Sequence, residues 1–184
     1  GLIIFPYALL TMLAIGLAFL TYSGLFATIK ISEQEVPALK LAFERHQGPY
    51  NQIGPIIERV CKRVADETHQ DPSRAFGFYL DSPETTKEDQ LRSILGCVVD
   101  DEAVANRLRA AGMLLEIPAR KALVTHFPFH GMASMFLGMM RVYPKLFPEA
   151  ERLGYKDAPL LELYGSRERV LEYQITKREA LGPL

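Results

Sequence analysis

The chain has 184 residues, with 21 Lys and Arg against 22 Asp and Glu, a net charge of -1. That balance excludes the basic excess, gathered on one face, that a nucleic-acid binder presents, so no nucleic-acid partner is expected. Its two cysteines, Cys61 and Cys97, both lie in apolar stretches; they exclude a disulfide scaffold and fit a reducing compartment.

Residues 1–29 carry no charged side chain, and Lys30 is the first. The apolar run 2–20 is interrupted only by Thr11 and has the length a bilayer core requires. It is apolar on every face, which argues against a helix buried in a soluble core. The segment 1–24 is therefore read as a transmembrane anchor. The competing reading is a cleaved signal peptide, with Ala14, Gly16 and Ala18 as a weak cleavage site, but no positive charge precedes the run. Tyr22 marks the exit at the interface. Lys30, Lys40 and Arg45 follow the anchor and nothing basic precedes it, which places the domain on the cytosolic side of a single-pass membrane protein. The first partner expected is thus membrane lipid, held by the N-terminal helix.

The domain is read as residues 25–178, with 179–184 as a tail stub. Residues 26–31 are expected to form a short strand, 33–37 a loop, and 38–46 a second strand with alternating Leu39, Leu41 and Phe43. Gly48-Pro49 turns the chain. Ile53, Ile56, Ile57, Val60, Cys61 and Val64 then recur at helical spacing and are expected to be buried. Residues 76–81 form a strand, 84–90 a polar loop, and 94–99 another strand. Asp100 and Asp101 cap a short helix that stops at Gly112.

The pattern then repeats. Residues 121–127 read as a strand. Gly131 opens a helix with Met132, Met135, Phe136, Met139, Tyr143 and Leu146 on one stripe, ended by Pro148. Residues 160–164 and 170–175 are strands joined by the Gly165-Ser166 turn. Each half reads strand, glycine turn, helix, strand, strand. The fold class is therefore α+β: a duplicated strand-helix-strand-strand domain, with antiparallel sheet and two main helices, preceded by one transmembrane helix. A cleft between the halves is the expected ligand position.

Glu162 is the main candidate. Strand alternation puts Leu160, Glu162 and Tyr164 on one face, where a carboxylate is costly unless it is partnered or lines a cavity. Either it lines the cleft, or its face is solvated and it pairs with a neighbour such as Arg167. Phe78, at the matching position of the first half, and Leu160 and Tyr164 complete the candidate ligand-binding set. Tyr50, after the Gly-Pro turn, either reaches the same cleft or packs at a helix start. The methionine stripe is read as core, with an adaptable binding surface as its alternative. His126 and His130 are four apart, but Pro128 lies between them, so no metal site is expected; no cofactor motif is present either.

The order of these features resembles the GyrI-like effector-binding fold, on Gln47-Gly48-Pro49-Tyr50 before the first helix and Leu161-Glu162-Leu163-Tyr164 in the penultimate strand. It is similar more closely to the testis-expressed protein 264 family. The residues that carry this are Tyr22-Ser23-Gly24-Leu25, Tyr79-Leu80-Asp81-Ser82-Pro83, Gly96-Cys97-Val98-Val99, Phe127-Pro128-Phe129, Arg141-Val142-Tyr143-Pro144-Lys145-Leu146 and Pro159-Leu160-Leu161-Glu162-Leu163-Tyr164. The resemblance implies a receptor or adaptor of the endoplasmic reticulum membrane that acts in selective autophagy and takes a protein partner. It implies also a glutamate, at the position of Glu162, that favours small cationic or aromatic ligands. Family members carry a long disordered acidic tail with an aromatic-x-x-aliphatic motif. Here the sequence stops at Leu184, and Tyr143-Pro144-Lys145-Leu146, which fits that pattern, is assigned to the second helix stripe. The resemblance also implies an alternative, a hydrolase of electrophilic or aromatic xenobiotics with Glu162 as general base and Tyr50 or Tyr164 as acid.

Overall fold

The computed structural model describes residues 4–184. The first helix, α1 (Ile4–Ser23), is exposed along its length except at Ser23. It is long and apolar enough to cross a membrane; positions 1–3 of the expected 1–24 anchor lie outside the described residues. The hydroxyls of Thr11 and Thr21 donate to the carbonyls of Tyr7 and Leu17, each at 2.8 Å, so both threonines are satisfied within the helix.

The segment 26–31 forms no strand, contrary to the expectation. Leu25, Ala27, Ile29 and Ile31 alternate and pack against the core of the second half. The ladder partner lies further on. The first strand is β1 (Ser32–Val36), which was expected to be a loop, and its register runs from Ser32 opposite Val124 to Val36 opposite Arg120. Hydrophobic alternation marked the packing segment, whereas backbone pairing was taken by the polar residues after it.

The first half continues as β2 (Leu39–Gln47), α2 (Gly54–Thr68), β3 (Ala75–Tyr79) and β4 (Arg92–Val98). A short helix, α3 (Glu102–Ala110), follows, and the Asp101 carboxylate accepts from the Val104 amide at 3.0 Å as expected of a cap. Next comes β5 (Leu114–Ile117), a strand that the sequence pattern did not reveal, paired to β2. The second half is β6 (Arg120–Pro128), α4 (Met132–Arg152), β7 (Leu160–Gly165) and β8 (Val170–Ile175).

All eight strands join one antiparallel sheet in the order β1-β6-β8-β7-β3-β4-β2-β5. The order is the same from either end once halves are exchanged: β6-β8-β7 mirrors β2-β4-β3, and β1 and β5 are the added edges. The duplication therefore meets at the β7–β3 ladder, whose central pair is Glu162 and Gly77. Helix α2 packs on β2, β3 and β4, and α4 on β6 and β8.

Burial along the helices departs from the sequence stripes. In α2 only Val60 and Val64 are fully buried; Ile53, Ile56, Ile57 and Cys61 are half-buried. In α4 the buried residues are Ser134, Leu137, Gly138, Val142, Leu146 and Ala150, whereas Met132, Phe136, Met139 and Met140 are exposed. Of the expected stripe, Met132, Phe136 and Met139 are thus surface, whereas Met135 and Tyr143 pack against the core and Leu146 is buried in it; small residues, Ser134 and Gly138, let α4 sit close on the sheet. Nor does Pro148 end α4. Pro144 and Pro148 are four apart and both exposed, so the carbonyls left without an N–H partner can turn to water while the helix runs on to Arg152.

Candidate functional site

Glu162 stands in the middle of β7, and its neighbours follow from strand alternation. Leu161 and Leu163 point to a core layer with Phe76, Phe78 and Ile94. Glu162 points to the other face, where α4 lies, and is only 7% exposed. There the Tyr143 hydroxyl, from α4, donates in a short hydrogen bond to Oε1. The Tyr164 hydroxyl donates to Oε2 at 2.8 Å. The Tyr79 and Tyr164 hydroxyl oxygens are 2.9 Å apart. A phenol has one proton to give, and that of Tyr164 goes to the carboxylate, so Tyr79 donates to Tyr164. The result is a relay, Tyr79 to Tyr164 to Glu162, joined by Tyr143 from the helix.

Two more rings close the arrangement. Tyr173 of β8 meets Tyr143 edge-on, ring centres 6.1 Å apart, and its hydroxyl reaches α4 at Gly138, where an added Cβ would lie 2.3 Å from it. Tyr50, in a short turn before α2, packs edge-on against Tyr79 at 4.9 Å. Its hydroxyl accepts from the Asp81 amide at 3.2 Å and stands 2.8 Å and 2.9 Å from the carbonyls of Asp81 and Arg92. Tyr50 thus both packs at a helix start and touches the tyrosine cluster.

The electrostatics are unusual because, among the described residues, no cation takes part. Burial pushes the Glu162 carboxyl above the usual glutamate range, and the hydrogen bonds from Tyr143 and Tyr164 pull it part of the way back. Burial also raises the phenols of Tyr79, Tyr143, Tyr164 and Tyr173, and the Glu162 charge raises each further. Every tyrosine therefore stays neutral and able to donate. The buried guanidinium of Arg120 is spent elsewhere. It donates to Gln174 at 2.5 Å and to Thr176 at 3.2 Å, and burial lowers it to about 10. Arg167, the sequence-based alternative partner, is exposed.

The site is closed by these side chains rather than open as a cleft. Surface depressions of about 520 and 450 Å³ lie elsewhere, the first along the outer face of α2 by Arg59 and Lys62, the second by Arg107 and Met113.

Of the candidate residues, Glu162, Tyr164 and Leu160 share one face, and Tyr50 joins them through Tyr79. Phe78 is on the opposite face, because β3 meets β7 with Gly77, not Phe78, opposite Glu162. Tyr79, Tyr143 and Tyr173 belong to the cluster but not to the set expected from the sequence. Tyr79 was one residue out of register, and Tyr143 was hidden in the helix stripe; only the fold brings Tyr173 near.

Residues 29–177 match the family model of the GyrI-like small molecule binding domain. The chain belongs to the GyrI-like family. Among curated proteins it is similar to human (Homo sapiens) testis-expressed protein 264, with 26% identity over 165 residues, covering 84% of this chain and 51% of the relative. The chain thus spans about half the length of that relative. Among solved structures, SAV2435 bound to tetraphenylphosphonium superposes with a TM-score of 0.50 at 13% identity, over 79% of this chain and 92% of that one. The EcmrR C-terminal domain gives 0.50 at 14% identity, over 81% and 98%. These likenesses show the GyrI-like fold, which here carries the Glu162 cluster at the junction of its two halves.

Proposed function

We propose that this GyrI-like domain binds lipophilic cations with aromatic character at Glu162, while α1 holds it on the cytosolic face of a membrane. One observation carries the reading. A buried carboxylate has four tyrosine rings around it and, among the described residues, no cationic partner. An uncompensated buried charge is costly, and a ligand cation would offset it. Aromatic faces add attraction for the same cation. Rearrangement of Tyr143 or Tyr79 would open the site, with hydrogen bonds exchanged for contact with the ligand. The tetraphenylphosphonium held by the fold neighbour SAV2435 has this chemistry.

The likeness to testis-expressed protein 264 extends the proposal to place and role: the endoplasmic reticulum membrane and a part in its selective autophagy, with the domain as the binding module. Half the length of that relative supports the domain's share of such a role.

The test is isothermal titration of tetraphenylphosphonium into the chain in detergent, with wild type and Glu162→Gln compared. Saturable binding to wild type that is lost in Glu162→Gln is the expected result. Equal binding to both, or none to either, would sink the proposal.

A further inference from the structure

Helix α4 leaves an apolar face uncovered. Met132, Phe136, Met139 and Met140 are 80%, 64%, 52% and 59% exposed, and Phe147 continues the stripe. Large apolar residues gathered on one surface mark an interaction site. Among the described residues, such exposure is otherwise concentrated on α1. What lies next to α4 says what covers it. The exit of α1 is built into this helix at two separate places. At its start, the Ser134 hydroxyl donates to the Ser23 carbonyl at 2.9 Å, and His130 stacks on Tyr22 with ring centres 4.2 Å apart. Further along, Arg141 donates to the carbonyls of Gly24 at 3.0 Å and Ala27 at 2.6 Å. Gly24, at φ +116°, lies so close to the Phe127 ring that an added Cβ would come within 2.6 Å of it.

Residues 22–27 form a short exit segment, and a chain of six residues spans at most about 20 Å. The stretch of α4 from Met132 to Arg141 is held at both ends to that segment. If α1 spans the bilayer, the exit lies at headgroup level, and so does this part of α4. The charges agree. From Met132 to Phe147 the only charged side chains are Arg141 and Lys145, and the first acidic residue is Glu149. An apolar stripe with basic flanks is the pattern of a helix that lies in the interface of an anionic membrane.

We infer that the Met132–Phe136–Met139–Met140 face of α4 is seated in the headgroup region of the bilayer that α1 crosses. This rests on the membrane reading of α1. It gives the domain a fixed posture. Tyr143, one turn beyond Met139 on α4, then hangs close to the lipid surface, so that a lipophilic cation partitioned in the membrane would meet the Glu162 cluster without crossing bulk water.

The chain contains no tryptophan, so one introduced indole reports alone. Phe136→Trp and, as control, Glu116→Trp on β5 at the far edge of the sheet, are reconstituted into phosphatidylcholine–phosphatidylserine vesicles with brominated acyl chains. The expected result is blue-shifted emission from Phe136→Trp that loses most of its intensity to the bromines, with Glu116→Trp unquenched. If the chain floats with the vesicles but Phe136→Trp is as unquenched as the control, the inference is overturned while the anchor stands. If the chain does not float, the anchor reading fails and takes this one with it. Blue-shifted but unquenched emission that grows with protein density would assign the face to a second copy of the chain, and again overturn the seat in lipid.

Discussion

Gly77 lies directly opposite Glu162 in the ladder that joins the two halves, and the space its missing side chain leaves is filled by tyrosine hydroxyls. A Cβ there would fall 2.6 Å from the Tyr79 oxygen and 3.0 Å from that of Tyr164. The glycine is what allows two rings to meet above the carboxylate's strand. Gly77→Ala would push the Tyr79 ring end aside and break the relay. Because the colliding atoms are the far ends of side chains, the chain still folds, with an expected cost of about 1–3 kcal/mol. Tetraphenylphosphonium binding should weaken along with it. Denaturation and titration on the same sample check both; an unchanged affinity would mean that the relay has no part in binding.

Gly96 offers the contrast. A Cβ at that position would stand 1.9 Å from the Ala42 carbonyl oxygen and 2.8 Å from Val60. Here the obstacle is backbone of the adjacent strand β2, which cannot swing away. Gly96→Ala should therefore be far more damaging than Gly77→Ala, and the measurement is the yield of folded, monodisperse protein. Comparable yields for the two variants would show that β2 and β4 can part more easily than the ladder suggests.

Half-buried Ile57 sets a milder expectation. Fully buried isoleucine cut to alanine costs about 2–5 kcal/mol, and Ile57→Ala should fall below that range. A loss inside it would mean that α2 is more completely covered in solution, for instance by a partner on its outer face.

What the sequence made legible was periodic. The halves, six of the eight strands and both long helices follow from turns and from apolar spacing, and Glu162 stands out as a charge amid apolar neighbours. The misses have physical causes. The segment 26–31 alternates because it packs, yet it is Ser32–Val36, polar and unremarkable, that pairs with β6. A stripe of Met and Phe on α4 looks the same whether it faces a core or the surface, and only the exposure of Met132 and Phe136 separates the two. Register decided the site: a one-residue shift exchanges faces, so Phe78 left the cluster and Tyr79 entered it.

The anchor is open to a direct test. Helix α1 has no charged side chain, and its two threonine hydroxyls are satisfied within the helix. Alkaline carbonate strips proteins held by charge or by surface contact but not a spanning helix. The chain should stay in the membrane pellet, and a deletion of residues 1–21 should move the domain to the supernatant. Release of the full chain would exclude a transmembrane span.

The pH dependence of stability isolates the Glu162 charge. Its folded-state pKa is raised above the usual value, chiefly by burial. Between the unfolded and folded values, the native state holds a proton that the unfolded chain has released. Stability therefore falls as pH rises through that window, with a slope that reaches at most about 1.4 kcal/mol per pH unit for one group. Glu162→Gln keeps the shape and cannot ionise, so it should lack this decline and match or exceed wild type above the window. The His126–Glu172 contact, at 2.7 Å, is common to both proteins, so it cancels in the comparison. A cationic ligand should reverse the trend. It favours the ionised carboxylate, so its affinity for wild type should rise with pH across the same window, while Glu162→Gln shows no such rise. Urea denaturation from pH 4 to pH 8, with and without tetraphenylphosphonium, measures both effects. Parallel curves for wild type and Glu162→Gln would show that the carboxylate is already compensated in solution, which would remove the physical ground for a cation at this site.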